Sequence, residues 1–71
     1  MLDVEKKIKR DYGIPDDWKI ARTSYREKER SGQSEGYETW EATSSSGEKR
    51  VFAYTNIVNM RGAQEHLHEV K

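Results

Sequence analysis

The strongest constraint on the fold is a helix stop near the N-terminus, the segment Gly13-Ile14-Pro15. Glycine suits the left-handed residue just past a helix, and proline cannot continue a helix. Before this stop, apolar side chains recur every four positions on one helical face, namely Val4, Ile8 and Tyr12. The pattern predicts a helix over residues 2–12, with Asp3 as its N-cap.

The composition leaves material for only a thin core. Apolar residues make up 32% of the 71 residues and charged residues 37%, against averages of roughly 45–50% (a count that includes glycine) and about 25%. The 13 basic residues balance the 13 acidic ones, and seven aromatic residues are spread through the chain, whereas disordered chains combine high net charge with few aromatics. We therefore expect residues 1–71 to form a single small folded domain.

Several classes of protein are disfavoured by what the chain lacks. It has no cysteine, which excludes disulfides and thiolate metal sites and favours a reducing, cytoplasmic setting. The longest clearly apolar run, residues 51–54, is far shorter than the ~20 residues needed to span a bilayer. We expect no membrane insertion.

The middle of the chain reads as strands separated by turns. Residues 18–29, 37–43 and 49–55 are rich in aromatic, β-branched and alternating polar side chains. Residues 31–36 look like a flexible connection, and Ser44-Ser45-Ser46-Gly47 looks like a turn of small residues.

The C-terminal segment has apolar residues at helical spacing, which predicts a second helix capped by Asn56 or Asn59: Met60, Ala63, Leu67 and Val70. The predicted fold class is therefore α+β, a two-layer sandwich in α-β-β-β-α order. Its three-stranded antiparallel sheet has both helices on one face, and the other face meets solvent. This order matches the double-stranded-RNA-binding domain. The lysine cluster that this family carries at its second helix has no counterpart, because residues 59–63 hold one basic residue, and we assign no family.

The face of the sheet that meets solvent depends on the turn between the second and third strands. A two-residue turn pairs Trp40 with Ala53 and leaves Phe52 and Tyr54 exposed. A three-residue loop, with Gly47 as a bulge residue, pairs Trp40 with Phe52 and turns Tyr54 inward. A shift of one residue exchanges the buried and exposed sets, and the sequence leaves both registers open. In the first strand, Trp18 and Ile20 would lie on the opposite face from Ala21, Thr23 and Tyr25. A bulge, or a strand that begins after Trp18, would resolve this.

The first register would place aromatic and basic side chains together on the exposed face. Nucleic-acid bases stack on aromatic rings, and Lys and Arg neutralise phosphates. The candidate binding residues are Arg22, Arg26, Lys28, Tyr37, Arg50, Phe52 and Tyr54.

We predict a non-enzymatic binding module that contacts another macromolecule through its sheet face or edge. A protein partner is favoured because the net charge is zero, whereas nucleic-acid-binding modules are usually basic. Tryptophan, tyrosine and arginine dominate binding hot spots, and the anchor candidates are Trp18, Tyr37, Trp40 and Tyr54. Binding of single-stranded or structured nucleic acid is the alternative.

No pattern in the sequence indicates catalysis, a cofactor or a metal site. No serine lies in a Gly-x-Ser-x-Gly motif, and neither Gly32 nor Gly36 precedes a helix as a phosphate-binding loop would require. His66 and His68 would lie in the predicted second helix, where residues two apart point about 200° away from each other. We therefore expect no metal ligation by this pair and no enzymatic activity.

Overall fold

The protein consists of one short helix and a four-stranded antiparallel sheet, in a computed structural model that describes residues 4–71. The strands pair in chain order, so that β1 and β4 form the two edges of a meander. The elements are α1 (Val4–Tyr12), β1 (Lys19–Arg30), β2 (Gln33–Thr43), β3 (Lys49–Asn59) and β4 (Gly62–Val70). The predicted first helix is confirmed from Val4 onward, and its predicted cap, Asp3, lies outside the described residues.

The predicted fold class, with α-β-β-β-α order and a three-stranded sheet under two helices, is wrong. The chain's last segment pairs with β3 as strand β4 and forms no second helix. Its few apolar residues recur at helical spacing. Every second residue from Glu65 to Glu69, however, also lies on one face of a strand. Leu67 faces α1 between Glu65 and Glu69, and both acidic groups find partners on that side. The resemblance in element order to the double-stranded-RNA-binding domain disappears with the second helix.

The turn before β4 shows why the local signal was ambiguous. Asn59, a predicted helix cap, accepts a 2.9 Å hydrogen bond on its side-chain oxygen from the backbone N–H of Arg61. A cap residue makes the same kind of bond, because asparagine side chains satisfy backbone donors two or three residues onward in both helix starts and turns. Here the next residue, Gly62, has φ +133° and begins a strand.

The first hairpin is tighter than predicted. Residues 31–36 are not a flexible connection, because Arg30 pairs with Gln33 across the two-residue turn Ser31-Gly32. Both turn residues have positive φ, 25° and 81°, as type I′ hairpin turns require.

The second hairpin adopts the three-residue loop of the two registers considered. Ser44 donates its N–H to the carbonyl of Glu48 at 2.9 Å, and Gly47 donates to the carbonyl of Ser44 at 3.1 Å. Gly47 has φ +94°, the conformation of the bulge residue in such loops. Trp40 therefore lies opposite Phe52.

Strand β1 contains a bulge, one of the two ways considered above of keeping its apolar residues on one side of the sheet. Its register to β2 shifts between Arg22 and Ser24, and the intervening Thr23 hydroxyl donates a 3.2 Å hydrogen bond to the carbonyl of Thr39. The bulge places Arg22 on the α1 side and Arg26 and Lys28 on the opposite side. Trp18 precedes the strand, as the sequence also allowed.

The core lies between α1 and one part of the sheet. It consists of Val4, Ile8, Ile14, Ala42, Phe52 and Tyr54, with partly buried Tyr12, Trp18, Ile20, Trp40 and Leu67 around it. The Tyr12 and Phe52 rings pack with centroids 4.8 Å apart.

The sheet extends well beyond the helix. Nine helical residues span about 14 Å, whereas strands of 11 residues span about 37 Å. The molecule measures 45 × 20 × 19 Å, so much of its length is a single layer. Within residues 4–71, no helix is long and apolar enough to cross a membrane.

Candidate functional site

The structure divides the seven predicted binding residues between the two faces of the sheet. The helix face, which packs against α1, holds Arg22, Arg50, Phe52 and Tyr54. The face turned away from α1, called the open face below, holds Arg26, Lys28 and Tyr37. Phe52 is 0% exposed and Tyr54 is 3% exposed, so neither ring can stack on a ligand.

The two arginines on the helix face are engaged within the protein. Arg50 Nε and Nη2 each donate a 2.9 Å hydrogen bond to the Glu69 carboxylate. This pairing raises the pKa of Arg50 and lowers that of Glu69. Arg22 lies 3.5 Å from Glu38 and 5.0 Å from the centroid of the Tyr25 ring. The Arg50–Glu69 and Arg22–Glu38 contacts join neighbouring strands, and the Arg22–Tyr25 contact lies within β1.

Tyr54 belongs to a polar group that ties α1 to the sheet. Its hydroxyl donates a 2.8 Å hydrogen bond to Glu65, which also pairs with Lys7. Burial is the main reason that the pKa of Tyr54 rises to about 12, and the bond to Glu65 adds to the rise. The hydrogen bond from Lys7, followed by that from Tyr54, lowers the pKa of Glu65.

The open face contains a trough of about 530 Å³ across β1, β2 and β3. Arg26 lies opposite Tyr37, and Tyr37 lies opposite Thr55 on the next strand. The side chains that line the trough from the open face are Ser24, Arg26, Lys28, Tyr37, Thr39, Ala53 and Thr55.

The open face is basic although the chain as a whole is neutral. Strand alternation places two carboxylates there, Glu35 and Glu41, against five cations: Lys19, Arg26, Lys28, Arg30 and Lys49. Arg30 lies 3.8 Å from Glu35, and Lys49 lies 3.4 Å from Glu41. The part of the chain that the structure describes offers no ion-pair partner to Arg26 or Lys28.

Arg26 and Lys28 are therefore available to an anionic ligand. Tyr37 stands between them and the centre of the sheet, and its hydroxyl donates a 3.2 Å hydrogen bond to Glu35. The hydroxyls of Thr39 and Thr55 add neutral polar groups beside them. This arrangement combines two point charges, hydrogen-bonding groups and one half-exposed aromatic ring.

The sequence-based interpretation missed that His66 and His68 share a face. Thr55 lies opposite His66 and Ala53 lies opposite His68, so both imidazoles lie on the open face at the β4 edge. The alternation of Glu65, Leu67 and Glu69 with the two histidines was the signal that could have shown it. No group of three or more potential metal ligands occurs among residues 4–71.

No family model matches the chain, and neither the curated proteins nor the solved structures contain a significant match to it.

Proposed function

We propose that the protein is a non-enzymatic binding module whose open face holds an acidic, extended segment of a partner protein. The observation that carries this proposal is the pair Arg26 and Lys28, two exposed cations without an ion-pair partner within residues 4–71. They line a trough on the sheet face opposite α1.

The aromatic side chains favour a protein ligand over a nucleic acid. Sheet-surface nucleic-acid binders stack successive bases on several exposed rings. Among the described residues, Tyr37 is the one aromatic side chain on the open face, and it is 38% exposed. A single ring suits an anchor in a protein contact better than a stacking platform.

The spacing of the two cations indicates the pattern of the ligand. Arg26 and Lys28 are two residues apart on one strand, which separates their Cα atoms by about 6.8 Å. Acidic residues two apart in an extended peptide have the same separation. We therefore expect a ligand with alternating carboxylates.

The test measures fluorescence anisotropy with three labelled probes. The first is a peptide in which glutamate alternates with threonine or valine, the second has the same composition with its glutamates in one block, and the third is a single-stranded thymidine oligonucleotide. We expect the alternating peptide to bind more tightly than the block peptide. Arg26→Glu with Lys28→Glu weakens its binding about tenfold, since two exposed ion pairs contribute up to about 1 kcal/mol each.

A matched control reverses the same number of charges away from the open face. Arg61 lies in the β3–β4 turn and Lys71 follows β4, both exposed, and we expect Arg61→Glu with Lys71→Glu to change affinity much less. Equal loss in both double variants contradicts the proposal. Tighter binding of the oligonucleotide, with a steep dependence on salt, also contradicts it and supports nucleic acid instead.

A further inference from the structure

We propose that His66 and His68 form a two-histidine site for a divalent transition-metal ion, of which Cu²⁺ binds most tightly. Both residues lie in β4, where successive side chains point to opposite faces. The two imidazoles therefore project from the same face, one residue between them. Both side chains are exposed, and within residues 4–71 neither has a hydrogen bond or ion pair.

The spacing matches what chelation needs. The Cα atoms of residues two apart in a strand are separated by about 6.8 Å. Two imidazole nitrogens bound at about 2.05 Å to one ion lie about 3.3 Å apart in tetrahedral coordination and about 2.9 Å apart at neighbouring corners of the tetragonal coordination that Cu²⁺ prefers. Two rings on the same face close this difference by leaning toward each other along the strand.

The surroundings leave room for the ion. Across β3, the side chains nearest the pair are small or apolar and carry no charge: Val51, Ala53, Thr55 and Ile57. Lys49, the cation of β3 on this face, lies about 13 Å along the strand from Ala53 and pairs with Glu41. Because β4 is an edge strand, the side away from β3 is open to water, which fills the remaining coordination positions.

The opposite face of β4 holds the pair at a fixed separation. The residues that alternate with the histidines are each tied to the rest of the fold. Glu65 accepts a hydrogen bond from Tyr54, Glu69 accepts two from Arg50, and Tyr12 donates one of 3.4 Å to the carbonyl of Leu67. A pair fixed by its supporting contacts binds an ion with less loss of conformational freedom than a flexible pair.

The choice of metal follows from the donor atoms. Imidazole suits copper, zinc and nickel, and among these divalent ions Cu²⁺ has the highest affinity for a given nitrogen site. The chain has two histidines and no cysteine, so no other pair of nitrogen or sulfur side chains of this kind competes for the ion.

The test titrates the full chain with CuCl₂ alone and with ZnCl₂ alone by isothermal calorimetry. We expect saturable binding, tighter for Cu²⁺. His66→Gln and His68→Gln should each weaken it roughly 100-fold, the lower end of what joining two binding groups at a fixed distance supplies. Acid should release the ion, because a protonated imidazole cannot ligate.

A rescue variant separates this proposal from a nonspecific effect. Gln64 is exposed and lies on the same face, two residues before His66. Adding Gln64→His to His68→Gln rebuilds a pair with the same spacing and should restore binding, while circular dichroism verifies that each variant is folded. If either single variant binds like the original chain, or if the rescue variant stays weak, the site is overturned.

Discussion

The hydroxyl of Tyr54 on β3 donates a 2.8 Å hydrogen bond to Glu65 on β4, whose carboxylate also pairs with Lys7 of α1. Tyr54 is buried and Glu65 is partly exposed, so the contact lies at the boundary of the core. It joins α1 to strands β3 and β4. Together with the Arg50–Glu69 pair, it adds side-chain contacts to the backbone ladder that pairs β4 with β3.

We predict that Tyr54→Phe lowers the free energy of unfolding by about 1–2 kcal/mol, because one hydrogen bond to a charged group is lost without a change in packing. Urea denaturation measures this loss. Tyr25→Phe is the control, since Tyr25 is 50% exposed and its hydroxyl has no hydrogen bond within residues 4–71; we expect a change within about 0.5 kcal/mol. A similar loss in both variants would show that the bond to Glu65 has no special role.

Stability should fall in alkali because of the same tyrosine. The folded protein raises the pKa of Tyr54 from 10.0 to about 12, so the neutral form is favoured in the folded state. The resulting stabilisation is present below about pH 10 and disappears as the pH rises through about 12, with a total of about 3 kcal/mol. Unfolding free energies measured across this range should decline more steeply for the original chain than for Tyr54→Phe. Parallel curves would contradict the assignment.

Acid should destabilise the protein through Glu65 and Glu69. Their hydrogen bonds to Lys7 and Arg50 lower both pKa values, so the stabilisation is present above the ordinary glutamate pKa. It is lost as the pH falls through the folded-state values. We expect Glu65→Gln with Glu69→Gln to flatten the acid limb of a stability–pH curve. Glu29→Gln, at an exposed site near the tip of β1, should leave that limb unchanged, and an equal effect would refute this account.

Two glycines should respond oppositely to alanine. Gly47 has φ +94°, and a Cβ there would meet nothing within 4 Å, so Gly47→Ala should cost about 1–2 kcal/mol from backbone conformation alone. Gly36 lies in β2, where a Cβ would be 3.8 Å from the carbonyl of Asn56. Gly36→Ala should be neutral or stabilising by up to about 1 kcal/mol. Urea denaturation of both variants checks this, and a loss at Gly36 as large as that at Gly47 would contradict it.

Local signals located α1 and the start of β1, but not the tight first hairpin. The stop at Gly13 and Pro15 ends α1 where expected, and Trp18 lies before β1. The sequence also presented a bulge in the first strand and the three-residue loop with Gly47 as options. The choice between registers needed the positive φ of Gly47 and the burial of Phe52, which only the assembled sheet shows.

The residues of the last strand fit two periods and do not by themselves decide between helix and strand. Leu67 fits a helical period and a strand period equally well, and Asn59 caps a helix or closes a turn with the same kind of hydrogen bond. The deciding contacts join Glu65 and Glu69 to residues far along the chain, namely Lys7 and Arg50.

The composition of the candidate site depended on which face each strand residue takes, and the sequence left this open. Arg26, Lys28 and Tyr37 share the open face, whereas the bulge places Arg22 on the helix face and strand β4 brings the two histidines together on the open face.

Because the sheet is longer than the helix, the two ends of the molecule's long axis differ in how they are stabilised. At one end, a few large side chains keep the chain folded. At the other end, ladder hydrogen bonds and a few side-chain contacts, such as that between Asn59 and Gln33, hold the strands and the Ser31-Gly32 and Met60-Arg61 turns together. Substitutions at the end beyond the helix can therefore change the binding surface while the core under α1 keeps the chain folded. New binding specificities can evolve there without loss of the fold.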